Sequence, residues 1–184
     1  MVYILLGTGF EEEEAIATCD ILRRAQIPAQ LVGLNGRTVA GGHNIRIEAD
    51  LTVEQMDLTA LDMIVLPGGL GGVESIRASA LAMDAIRFAA ENNRLVAAIC
   101  AAPTVLAGMG LLEGRRATCY PGMENQMAGA VMVPGAQAVV DGNFITGQAP
   151  AAAIEFGLTL VEQLSAQAVN DAQSVAEHMV YTRG

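Results

Sequence analysis

Cys100 ends a short apolar run, Leu95 to Ile99, and is followed by Ala101-Ala102-Pro103. A strand that turns sharply into a helix strains the backbone of its turn residue, exposes that side chain and frees the next amides. Hydrolases use this geometry as a nucleophile elbow. Small Ala101 and Ala102 permit the tight turn, and Pro103 suits the first turn of the following helix. The N-terminus of that helix would favour the thiolate of Cys100. Two further segments close apolar runs: Gly9-Phe10-Glu11-Glu12-Glu13-Glu14 and Pro67-Gly68-Gly69. Each has a bland reading alone. A lone cysteine after a strand is commonly just buried, a glutamate run is commonly a solvated helix start, and Pro-Gly-Gly is commonly a turn. Their coincidence at one edge of a sheet is what points to a site, because open α/β sheets gather ligands outside the carboxyl ends of their strands.

The remaining cysteines fit less well. Cys19 falls on the apolar face of a helix and Cys119 on an apparent strand. Three widely spaced cysteines argue against a disulfide framework and fit a reducing cytoplasm. No pair has the spacing of a zinc site, and His43 and His178 are the only imidazoles, so no metal is expected. No glycine-rich phosphate cradle with Lys or Arg is visible.

The elements that must position these residues alternate between strand-length apolar runs and longer stretches of helical period. Val2 to Leu6, Gln30 to Leu34, Asp62 to Leu66 and Leu95 to Ile99 read as buried strands. Glu11 to Ala25, Leu81 to Glu91, Pro103 to Met109, Ile154 to Leu164 and Val169 to Val180 read as helices, with Gly110 just past the end of the third. Acidic residues in the first turn of Glu11 to Ala25 suit the positive end of the helix dipole. Gly41-Gly42 breaks the chain before the alternating Ile45-Arg46-Ile47, and Asp141-Gly142-Asn143 marks a hairpin. This alternation predicts an α/β sandwich around a mostly parallel sheet with helices on both faces.

Composition sets outer bounds. The chain has 184 residues and is 52% hydrophobic, enough to bury a substantial core, and without repeat or linker it reads as one domain over residues 1–184. Its formal net charge of −10 disfavours nucleic acid, whose phosphates need clustered Lys and Arg. No stretch approaches the ~18 apolar residues of a membrane span. The N-terminus lacks the basic start of a signal peptide.

Three ordered motifs then carry a family resemblance: G-x-E-E-x-E at Gly9 to Glu14, V-L-P-G-G at Val65 to Gly69, and A-A-I-C-A-A-P at Ala97 to Pro103. Together they resemble the DJ-1/ThiJ/PfpI superfamily, within it the branch of the human parkinsonism-associated protein and its bacterial relatives. Asp20 to Ala25 and Ile154 to Leu158 extend the likeness almost end to end. The resemblance implies a flavodoxin-like three-layer sandwich, usually a homodimer, with a reactive cysteine at the elbow. It aligns Cys100 with that cysteine, Glu14 (not Glu11 to Glu13) with the glutamate touching it, and Gly69 and Ala101 with positions whose amides form an oxyanion-like pocket. A thiolate beside Glu14 would not tolerate a second bare charge, so Glu14 is expected to be protonated and to donate to the sulfur. The two titrate as one unit. The departures are equally specific. Ala101, not histidine, follows Cys100, and Tyr120 stands where a downstream histidine is common. Gly147 to Ala151 lacks the family's arginine, and His43 lies near the segment resembling the dimer contact, within reach of a partner's site or simply on the surface.

What the resemblance implies about activity is cofactor-independent, cysteine-dependent conversion of small 2-oxoaldehydes such as methylglyoxal to 2-hydroxy acids, a glyoxalase or deglycase type of reaction. A different class is an oxidation-sensing stress protein or redox chaperone that uses Cys100 without turnover. Peptidase or amidase chemistry ranks last, because it lacks its general base.

Overall fold

Val2 to Leu6 is wholly apolar and wholly buried, and it forms β1 at the heart of the sheet. In the computed structural model, which describes residues 1–183, β1 is followed by α1 (Glu12–Arg24), β2 (Ala29–Gly33), β3 (Thr38–Ala40), β4 (Arg46–Glu48), β5 (Leu51–Thr52) and β6 (Met63–Leu66). Then come α2 (Leu70–Ala78), α3 (Ala80–Glu91), β7 (Leu95–Ile99), α4 (Pro103–Gly108), β8 (Arg116–Ala117) and β9 (Val131–Met132). The chain closes with β10 (Ala138–Asp141), β11 (Phe144–Gly147), α5 (Ala153–Gln163) and α6 (Ala172–His178).

The main sheet runs β10-β11-β7-β6-β1-β2-β5, parallel throughout except for the β10–β11 hairpin. Its inner order, β2-β1-β6-β7-β11, is the flavodoxin-like doubly wound arrangement. From β1 the chain steps one way to β2, and from β6 it steps the other way to β7. Right-handed crossovers running in opposite directions place their helices on opposite faces. Accordingly α1 packs with α5, while α3 covers β6 and β7. The order reverses between β1 and β6, so their carboxyl ends part there and leave a crevice. The loops after β1, β6 and β7 all open into it.

The predicted elements hold, with informative shifts. The hairpin closes through Gly142 at φ +61 and Asn143, a two-residue loop with glycine first. The last helix is shorter than its period predicts. It starts only where Asp171 accepts from the Ser174 amide at 2.8 Å, because the Val169 amide is already donated to Ala25. The Leu70–Ala78 helix, α2, carries no sequence forecast. A Cβ on Gly72 would stand 2.7 Å from the Phe10 Cα, so the first turn of α2 lies directly on the loop after β1. Cys119 lies just beyond β8 rather than in a strand. No helix among the described residues is long and apolar enough to cross a membrane.

Glycine also sets the contact between the two helices that cover one face. A Cβ at Gly157 of α5 would approach Ile21 Cδ1 of α1 to 2.8 Å. Gly157→Val overpacks this contact and should destabilise the fold by about 1–3 kcal/mol. In the background of Ile21→Ala the same change should cost far less, a coupling readable by denaturant unfolding of the full double-mutant cycle. Strict additivity would show that α1 and α5 do not meet through this pair.

Candidate functional site

The elbow is built as its sequence requires. Cys100 takes φ +65, a left-handed conformation that is strained for any residue with a side chain. Surrounding bonds hold it there. Its amide donates to Gly147 O at 3.0 Å, extending the β7–β11 pairing, and its carbonyl accepts from the Tyr120 amide at 2.8 Å. Ala102 N returns to Ile99 O at 3.0 Å to close the turn, and Pro103 occupies the first turn of α4. Below the elbow, Thr104 Oγ1 donates to Ala101 O at 2.7 Å and accepts from an Arg77 guanidinium nitrogen at 2.8 Å. These supporting residues had no signal in the sequence, since Thr and Arg on helices ordinarily face solvent.

Glu14 arrives from the first turn of α1 and is completely buried at 0% exposure. Its Oε2 accepts from the Gly68 amide at 2.7 Å, whereas Oε1 is buried with no hydrogen-bond partner. Gly68 must be glycine: a Cβ there would lie 2.7 Å from the Cys100 Cβ and 2.8 Å from Glu14 Oε2. Gly69 takes φ +80, and a Cβ on it would press to 2.7 Å from the Glu11 amide. The Pro-Gly-Gly segment therefore brings strand end, carboxyl and thiol within touching distance.

Burial raises the pKa of both acids, and the charge of Glu14 raises that of Cys100 further. Burial lifts Glu14 to about 7, with the Gly68 and Cys100 hydrogen bonds working against the rise and the charges of Glu11 and Glu13 adding to it. Burial likewise lifts the Cys100 thiol to about 12, and the Glu14 charge and hydrogen bond raise it further. Amides of Ala101 and Gly69 bond to the sulfur and pull in the opposite direction. So the helix N-terminus does not by itself deliver a low thiol pKa. Cys100 is only 8% exposed, α4 is short, and burial outweighs the local dipoles. Above neutrality the pair holds a single negative charge, resting on the Glu14 carboxylate with the proton on sulfur, the reverse of the arrangement expected from the residues alone.

The other sequence candidates scatter around this centre. Tyr120 stands on the cavity wall, partly exposed. His43 lies 70% exposed on the β3–β4 turn, and its Nδ1 donates to Glu12 Oε2 at 2.9 Å. Glu12, far from being solvated, is buried. Its Oε1 accepts from the amides of His43 at 2.8 Å and Ile45 at 3.4 Å. Burial tends to raise its pKa, but the bonds from His43 and the nearby amides bring it down on balance. Glu11, Glu12 and His43 offer ligand atoms within 4.8 Å of one another. The hydrogen bonds account for that cluster: Glu12 pins the β3–β4 turn to α1.

A cavity of about 520 Å³ opens above the sulfur. Cys100, Ala101 and Gly69 form its floor, and Leu70, Tyr120 and Met123 stand among its walls. The Cys100 thiol and the amides of Ala101 and Gly69 meet at its base, with the carboxyl of Glu14 buried behind the sulfur. Such a set can add a thiol to a carbonyl and steady the oxyanion that forms.

A model of the DJ-1/PfpI family matches residues 1–163 of this chain. The chain is 40% identical over 164 residues to Protein dj-1beta of Drosophila melanogaster, covering 88% of each. The crystal structure of that protein superposes with a TM-score of 0.92 over 99% of this chain and 98% of its own. A Pyrococcus horikoshii protein named Deglycase PH1704 is 32% identical over 82% of this chain and 90% of its own length. A structure of oxidized Toxoplasma gondii DJ-1 is 30% identical with a TM-score of 0.92, over 99% and 98% of the two chains.

The raised Glu14 pKa carries a stability signature. A folded-state pKa of about 7 against an ordinary 4.5 means that the contribution of Glu14 to stability is fully present below pH 4.5 and is lost as pH rises toward 7. Gln at this position cannot ionise. Relative to wild type, Glu14→Gln should therefore gain about 3 kcal/mol between those two pH values, since displacing a pKa by one pH unit corresponds to ~1.4 kcal/mol. Chemical unfolding at several pH values measures it. A mutant–wild-type difference that stays flat across this window would show that Glu14 titrates normally.

Proposed function

The chain belongs to the DJ-1/PfpI family, and we propose that it is a cofactor-independent, cysteine-dependent enzyme converting small 2-oxoaldehydes such as methylglyoxal to 2-hydroxy acids. One observation carries the reading: the Cys100 thiol, on a left-handed elbow residue, lies against the buried carboxyl of Glu14 while amides of Ala101 and Gly69 are directed at the sulfur. The deglycase name of the archaeal relative agrees with chemistry of this type.

The reactive form of the pair places the proton on Glu14 and the charge on sulfur. The thiolate adds to the aldehyde carbon, forming the C–S bond of a hemithioacetal, and the amides steady the new oxyanion until it is protonated. The carboxylate of Glu14 then takes the proton from that carbon and returns it to the neighbouring carbon. The first carbon is thereby oxidised and the second reduced, with no external redox partner. The thioester that results is cleaved by water, which releases the 2-hydroxy acid and regenerates the thiol. Glu14 handles the proton without imidazole help, because Tyr120 occupies the wall where a histidine would otherwise assist.

A second reading draws on the same amides. They could hold a sulfinate on Cys100, and the oxidized state named for the Toxoplasma relative favours such a sensor. Paired assays separate the two. Cys100→Ala should abolish methylglyoxal consumption, and Glu14→Gln should cut it by roughly 10²-fold or more while iodoacetamide still labels Cys100. Unchanged turnover in Glu14→Gln would remove Glu14 as proton shuttle. Wild type that consumes no methylglyoxal, yet stops at a Cys100 sulfinate under mild peroxide before Cys19 or Cys119 reacts, would decide for the sensor.

We place the protein in the cytoplasm, in keeping with three free cysteines, and as a homodimer. Ile16 on α1 and Ile45 beside β4 are large apolar side chains left 38% and 54% exposed, on elements that Glu12 ties together. Light scattering should report twice the chain mass. A monomer at micromolar concentration would exclude this assembly.

A further inference from the structure

The cavity above Cys100 is far larger than methylglyoxal needs. At about 520 Å³ it falls in the range that encloses drug-sized ligands. Its walls are largely apolar: Leu70, Tyr120, Pro121, Met123 and Pro150 stand around the sulfur. Leu70 is the telling residue. It opens α2 at the lip of the cavity and is 72% exposed, an apolar side chain that the protein itself leaves uncovered. The one charged side chain in the lining is the carboxylate of Glu11, and no Lys, Arg or His of the described residues lines the wall.

These features bear on charge and on bulk. An anionic substrate would enter a site that already holds the negative charge of the Glu14–Cys100 pair, with no cation in the lining, and meets the Glu11 carboxylate, which His43 Nδ1 at 3.7 Å offsets only in part from outside the cavity. A neutral substrate meets no such penalty. One with a large apolar substituent would also cover Leu70 and Met123 and displace water from them, a gain that grows with the apolar area buried.

Resting on the enzymatic reading above, we propose that the site selects neutral electrophiles carrying an aryl or branched alkyl group, with arylglyoxals as the preferred 2-oxoaldehydes. Leu70 and Met123 grip the substituent, and Glu11 turns anions away. This assigns Leu70, Met123 and Glu11 as specificity residues. None of them takes part in bond making.

Two arms test it, one independent of turnover. Cys100 is alkylated with iodoacetamide, N-phenyl iodoacetamide and iodoacetate, and each rate is divided by that of a free small thiol. In every case the S–C bond forms as iodide leaves with its electron pair, and the thiol proton passes to buffer. The corrected rate should be at least about tenfold higher for the phenyl reagent than for iodoacetate, with iodoacetamide between them. Leu70→Ala should lower the phenyl preference severalfold, and Glu11→Gln should raise the iodoacetate rate severalfold. In the second arm, kcat/KM for phenylglyoxal, followed as mandelate, should exceed that for methylglyoxal. Corrected rates that are equal for the three reagents would overturn the proposal. So would methylglyoxal turnover with no gain for phenylglyoxal, and in that case the enzymatic reading would still stand. If no oxoaldehyde is consumed but the alkylation order holds, the enzymatic reading falls, and the pocket's preference for neutral aryl electrophiles is upheld.

Discussion

The Glu14 carboxyl and the Cys100 thiol are buried against one another, and burial makes both harder to ionise, the thiol more so beside the charge of Glu14. Water would ordinarily absorb that conflict. Here a completely buried carboxyl has one amide partner, from Gly68, and one oxygen with none. Much of the surrounding structure follows from keeping two such groups together. The elbow residue is held at positive φ by Gly147 and Tyr120, and the loop after β6 supplies a residue without a side chain at the one place where any Cβ would collide. Amides of Ala101 and Gly69 then partly compensate a charge on sulfur. The sheet contributes the position, since only at the reversal between β1 and β6 do these loops face a common opening.

Much of this was legible in the residues. Apolar runs gave the inner strands because a strand covered on both faces needs no polar alternation. Ile-Cys-Ala-Ala-Pro announced its elbow, because small residues and a helix-initiating proline leave few other ways to leave a strand. What escaped was set by contacts distant in sequence. The α2 helix begins in glycines, and only their closeness to Phe10 explains them. Glu12 looked like one more solvated acid in a run, yet its carboxylate is consumed by the amides of His43 and Ile45. In a run of like residues on a helix, facing decides the role, and the register of burial follows from packing.

The thiol gives the sharpest instance. A helix N-terminus after Cys100 predicts a depressed pKa, and the local amides do act in that direction. Burial acts the other way and prevails. Sequence supplies the sign of the local dipoles but not the depth at which the group will sit, and desolvation of a nearly closed site exceeds what a short helix offers. The same depth raises Glu14. A carboxyl shifted into the neutral range can hold a proton at one moment and accept one at the next, which an exposed glutamate cannot do at that pH.

A site of this kind conflicts with stability by construction. The folded protein forgoes the easy ionisation of Glu14 and maintains a strained residue at the end of β7, and neither serves packing. The core can bear it: every residue of β1 and β6 is buried, and the elbow hangs from β7, which is paired on both sides. Rigidity is also what the chemistry requires. A carboxyl free to swing into water would regain its ordinary pKa, and a relaxed Cys100 would withdraw its sulfur from the amides of Gly69 and Ala101. The unfavourable groups and their stiff setting are therefore one device. The burial that makes the acid pair costly to fold is also what keeps a proton available beside the sulfur.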